Sequence, residues 1–147
     1  MVMKKFTALI LFIALFLVGC GSDEPARGDK NSPGYAATMY FDAIYNKKDF
    51  DAAIKIATPR MARIMRSYGT AKQFARNLVN LQYDSVTIEV DMTNQSLREQ
   101  YGDNAKVNLV FTGMLRGEQV DDMRSVQMVR KKGNWYVDKV NPDPFAR

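Results

Sequence analysis

The residues able to do chemistry are few. The 147-residue chain holds 21 lysines and arginines, 16 aspartates and glutamates, one cysteine and no histidine. Histidine is the commonest general acid or base and the commonest protein metal ligand, so either role would pass to carboxylates, amines and phenols. Disulfides, thiolate zinc sites and Ser-His-Asp or Cys-His relays are excluded. What remains is Tyr and Asp chemistry, with Asp122 and Arg124 in one predicted strand and Tyr40 or Tyr136 as phenolic neighbours. On an open sheet such a pair is more often solvent-facing. The sequence assigns no catalytic residue, no metal and no cofactor.

The lone cysteine has a different use. Lys4 and Lys5 precede an apolar run from Phe6 to Val18 that Gly19-Cys20-Gly21-Ser22-Asp23 ends sharply. A basic start, a short apolar core and a small-residue junction predict a signal peptide over residues 1–19. The run is too short for a bilayer-spanning helix, which needs about 20 apolar residues. Leu17-Val18-Gly19-Cys20 resembles the lipobox of bacterial lipoproteins. That resemblance implies cleavage after Gly19, a diacylglycerol on the Cys20 sulfur and acylation of the new amino group. Several chains anchor durably, where a single one binds marginally. With Gly21 rather than Asp after the cysteine, the resemblance also implies the outer membrane, at its periplasmic face, if the host has two membranes.

The elements that must position any site begin after a tether. Residues 20–32 are the lipid-bearing cysteine and a polar stretch with Pro and Gly but no large apolar residue. Ser32-Pro33 caps and starts a helix to about Asn46, Asp49 caps a short one from Phe50 to about Ile56, and Thr58-Pro59 starts a third. Gly69 breaks that helix and Thr70 to Gln73 restarts it, with Phe74, Leu78 and Leu81 continuing an apolar face. The period then changes from helical to alternating. Val86, Ile88, Val90 and Met92 mark one strand, and Ala105 to Leu115 a second. Arg116-Gly117-Glu118 turns into a third over 119–130, and Lys131 to Asn134 turns into a fourth over 135–140. Residues 33–147 are thus one α+β domain, with N-terminal helices packed on a four-stranded antiparallel sheet.

This order resembles the nuclear transport factor two-like (cystatin-like) superfamily, carried best by the helix-turn-helix from Ala36 to Asp51 and the ending Gly133-Asn134-Trp135-Tyr136-Val137. The resemblance implies a curved sheet around a conical pocket, with Tyr40, Met61, Met65, Phe111, Met114, Trp135 and Tyr136 as lining candidates. Core filling is the competing reading of the same side chains. Many enzymes of that superfamily use an Asp-His pair, which this chain cannot supply.

Charge is unevenly placed. Residues 52–83 contain no acid, while Lys55, Arg60, Arg63, Arg66, Lys72 and Arg76 give +6; residues 84–122 sum to −5. A solvated helical face explains such a run, and so does a docking surface. Arg60, Arg63, Arg66, Lys72 and Arg76 are its candidates, facing anionic headgroups, an acidic protein or a second copy in a homodimer. The formal charge of +3 left after residues 1–19 is too small to imply nucleic acid. The sequence favours a non-catalytic binding or scaffolding module tethered through Cys20. A carrier of a small apolar ligand is the alternative, and a histidine-free Tyr/Asp isomerase- or hydrolase-like enzyme is the second.

Overall fold

The computed structural model describes residues 29–93 and 102–142. The signal segment, Cys20 and most of the tether lie outside the described residues. Helices come first: α1 (Pro33–Tyr45), α2 (Phe50–Lys55), α3 (Pro59–Tyr68) and α4 (Ala71–Phe74), the last running directly into a π-helical turn at Ala75–Val79. Four strands follow, β1 (Ser85–Val90), β2 (Asn104–Leu115), β3 (Glu118–Lys131) and β4 (Asn134–Val140), paired antiparallel in sequence order as one open sheet.

Each helix starts where a short polar side chain takes up a free amide. Ser32, Asp49, Thr58 and Thr70 accept from the backbone N–H of Tyr35, Ala52, Met61 and Gln73. Gly69 ends α3 at φ 78°, and Asn80 ends the π-helical turn in the left-handed conformation at φ 58°. The two hairpins turn through Arg116-Gly117 and Lys132-Gly133, all four at positive φ, which matches the strands' twist. β1 stops at Val90, and Met92, expected to extend its apolar face, is 68% exposed.

Helix α1 touches all four strands. Its Tyr40, Phe41, Ile44 and Tyr45 meet Val107, Leu109 and Phe111 of β2 and Val126 and Met128 of β3 in one buried core. Phe41 stands edge-on to both Tyr40 and Phe111, with centroids 5.0 and 5.1 Å apart. Among the described residues the buried core side chains run from Ala37 to Val140, all of which a chain beginning at residue 21 retains.

Both sheet edges are partly covered. The Thr58 N–H donates to the Val137 carbonyl and the Val137 N–H to that of Ile56, a short parallel bridge along β4. On β1, the Asn46 amide donates to the Val86 carbonyl (2.9 Å) and accepts from its N–H (3.3 Å). Blunting an edge in this way limits pairing with another chain.

Candidate functional site

The expected pocket residues separate into three places. Tyr40, Met61, Met65 and Phe111 lie in the core at 0–2% exposure. The Tyr40 hydroxyl meets the Met65 sulfur at 3.4 Å, so even this phenol is spent inside. Burial, with Tyr45 second, pushes the Tyr40 phenol well above its ordinary value, which makes it a poor proton donor. Met114 is a correction: it lies 40% exposed and paired with Ser85 and Gln119 on the sheet's outer face. Side chains alternate faces along a strand, so residues 111 and 114 of one regular strand cannot line one pocket. Trp135 and Tyr136 border a surface groove of about 330 Å³ at the start of α1.

Asp122 and Arg124 also sit differently from expectation. They face inward, in phase with Val126 and Met128, and Arg124 is 2% exposed. Their neighbours are Tyr45 and Tyr83, not Tyr40 or Tyr136. The Arg124 guanidinium donates to the Val79 carbonyl (3.0 Å), the Met123 carbonyl (2.7 Å), the Asp122 carboxylate (2.6 Å) and, at 3.4 Å, the Asn80 carbonyl. Two of those carbonyls lie at the end of the π-helical turn, where no further turn supplies N–H groups to donate to them. A planar fork with several donors suits this cluster, and a point charge would not. The pair is a clamp between helix end and sheet.

Tyr83 roofs the same corner. Its ring lies parallel to Phe111 at 6.2 Å and edge-on to Tyr45 at 5.5 Å. The Tyr45 hydroxyl donates to the Leu81 carbonyl at 3.1 Å, and its phenol is pushed up mainly by burial. The Tyr83 hydroxyl is buried without a hydrogen-bond partner among the described residues. Its phenol is pushed up to about 12, by burial first and then by Asp122, with Arg124 opposing. A raised value favours the neutral phenol in the folded state. Its contribution is present below the unfolded value of about 10 and lost as pH rises through about 12. Tyr83→Phe is therefore expected to raise stability at pH 7 by roughly 1 kcal/mol, by removing an unsatisfied hydroxyl. It should also lessen the loss of stability between pH 10 and 12, readable in urea titrations at both ends.

The five basic docking candidates all reach solvent. Arg60, Arg63 and Arg66 lie on the exposed side of α3, opposite buried Met61, Ala62 and Met65; Lys72 and Arg76 are exposed on the segment that follows. Arg60 is 3.4 Å from Asp138, an exposed pair of little energetic weight. Among the described residues, Arg63, Arg66, Lys72 and Arg76 have no carboxylate within ion-pair distance. Also among the described residues, no cluster of acidic or thiol side chains could hold a metal, and no helix is long and apolar enough to cross a membrane.

Set beside known proteins, the chain is similar to the solution structure of a SEC-C motif-containing protein from Rhodopseudomonas palustris. The two agree with a TM-score of 0.54 over 78% of this chain and 80% of that one, at 14% identity. The likeness is one of fold alone. No family model and no curated protein matches the sequence.

Proposed function

We propose that this chain is a lipid-anchored envelope protein acting as a non-catalytic binding or scaffolding module, with the basic face of α3 and α4 as its docking surface. One observation carries the reading: four expected pocket residues are packed at 0–2% exposure, while the five docking candidates all stand in solvent. Chemistry that is sealed inside cannot meet a partner, and chemistry outside can.

The competing readings lose ground on the same geometry. A carrier with its ligand between sheet and helices would need the space that Tyr40, Phe41 and Phe111 fill. A Tyr/Asp enzyme would need the Asp122 carboxylate free to take up a proton, whereas the Arg124 guanidinium holds it at 2.6 Å. Helices first, four antiparallel strands after, and a long helix across the sheet support the nuclear transport factor two-like cone. The lipobox supports anchoring through acylated Cys20 at the periplasmic face of the outer membrane. The docking face would meet anionic headgroups, an acidic protein or a second copy.

Anchoring is tested by feeding cells a clickable palmitate analogue. The expected result is label on the wild-type protein and none on Cys20→Ser. An unlabelled wild type would remove the anchor from the account.

A further inference from the structure

The groove beside the tether has a composition that the docking face does not explain. It runs between the first turns of α1, the end of α2 and the β3–β4 hairpin. Its volume of about 330 Å³ lies at the small end of ligand sites, which run from roughly 300 to 1,000 Å³. The lining divides by character. Ala36, Met39, Ile56 and Trp135 supply apolar surface, with Tyr35 and Tyr136 also at its border; among the described residues Lys30 and Lys55 are its charged members and no carboxylate lines it. Lys131 and Lys132 stand exposed in the adjoining hairpin. The nearest acid along the chain, Asp29, is exposed and already accepts from the Asn31 N–H at 2.9 Å.

An apolar floor with a cationic rim fits a ligand of two halves. We propose that this groove binds a single-chain anionic amphiphile, its phosphate or carboxylate head against Lys30 and Lys55 and its alkyl chain along Trp135. An ammonium and an anionic oxygen form the stronger, charge-assisted class of hydrogen bond. An acyl chain on the indole and Met39 leaves water by the hydrophobic effect. Position agrees: Cys20 precedes Lys30 by ten residues, at most about 35 Å of extended chain, so an acylated Cys20 keeps the groove within reach of the bilayer. That positional argument rests on acylation; the composition of the groove does not.

Trp135 is the single tryptophan of the chain and reports from inside the site. Trp135 is 6% exposed and its ring lies under the Arg130 guanidinium at 5.5 Å, so a chain entering the groove changes its surroundings. The test titrates residues 21–147, made without lipid, with dodecyl phosphate below its micelle concentration. A saturable one-to-one change in Trp135 fluorescence is expected. Lys30→Gln with Lys55→Gln should weaken it about tenfold or more, since two charge-assisted contacts are lost. Ala36→Leu, which fills the floor, should weaken it as well. Both lysines are exposed, so matched melting curves are expected for the charge variant and the wild type. Inorganic phosphate alone should give no saturable change, which separates a lipid head from a free anion, and neither should uncharged dodecyl maltoside. The proposal is overturned if dodecyl phosphate gives no saturable change, if the charge variant binds as tightly as wild type, or if phosphate or maltoside binds equally well. None of these outcomes depends on the palmitate label or on the α3 face.

Discussion

Replacing Arg124 with methionine is expected to cost about 3–5 kcal/mol, because it removes a buried guanidinium and leaves several carbonyls and a half-buried carboxylate without their donor. The Val79 and Asn80 carbonyls lose their donors at the end of the π-helical turn, and Asp122 loses its cation. Whole-domain stability is usually about 5–15 kcal/mol, so this is a large share of it. The melting temperature should fall by on the order of 10–20 °C. Arg124→Lys should recover little, since one ammonium cannot reach carbonyls on two elements as the fork does. Asp122→Asn is the contrasting variant: its side chain is 31% exposed and keeps an acceptor, so about 1 kcal/mol is expected. Thermal unfolding of the three variants, followed by far-UV circular dichroism, orders them. Equal, small effects would mean that the clamp is not structural, and Asp122 would return as a group available to substrate.

Gly113→Ala carries the second large effect. The glycine sits in the interior of β2, where a side chain is usually worth having. Here an added Cβ would run into the Tyr83 ring and lie 2.7 Å from the Ser85 carbonyl oxygen. Overpacking of this kind costs about 1–3 kcal/mol, and backbone on one side of the clash puts the expectation at the upper end. The two contacts can be separated. In a Tyr83→Ala background the ring is gone and only the Ser85 carbonyl remains, so Gly113→Ala should cost less there. The double-mutant cycle measures that difference directly. An unchanged cost would place all the strain on the strand backbone and none on the aromatic roof.

Much of the fold was legible because its signals are local. A hydroxyl or carboxylate before a helix acts within three residues, and Ser32, Asp49, Thr58 and Thr70 all do what their type predicts. Strand alternation and the two Gly-containing hairpins are equally short-ranged. Met114 shows a readable signal overlooked: its position out of phase with Phe111 sends it to the outer face. Arg124 is the same lesson reversed. Its charge suggests solvent, but its phase with Val126 and Met128 points inward, and the phase prevails because helix-end carbonyls are there to receive it.

Other features depend on partners far along the chain. Nothing near Asn46 says that its amide will cover β1, forty residues later. Nor does the sequence around Ile56 announce a bridge to Val137. The π-helical turn at Ala75–Val79 follows a helical pattern that reads as ordinary, and Leu81 is buried although it lies beyond the helix. The groove is half legible: Trp135 and Tyr136 stand out in the sequence, but Lys30 and Lys55 join them only when α1, α2 and β4 come together.

The account rests most heavily on the α3 face being where partners dock. A photo-activated cross-linker placed at Ser67, exposed on α3 beside Arg63 and Arg66, tests this in the membrane fraction of cells making the full-length protein. The account predicts a discrete adduct that disappears when Arg60, Arg63 and Arg66 are together changed to Gln. The adduct should survive the same change at Lys106 and Lys139, exposed on the sheet. An adduct that persists in the triple variant, or no adduct from this face at all, would contradict it.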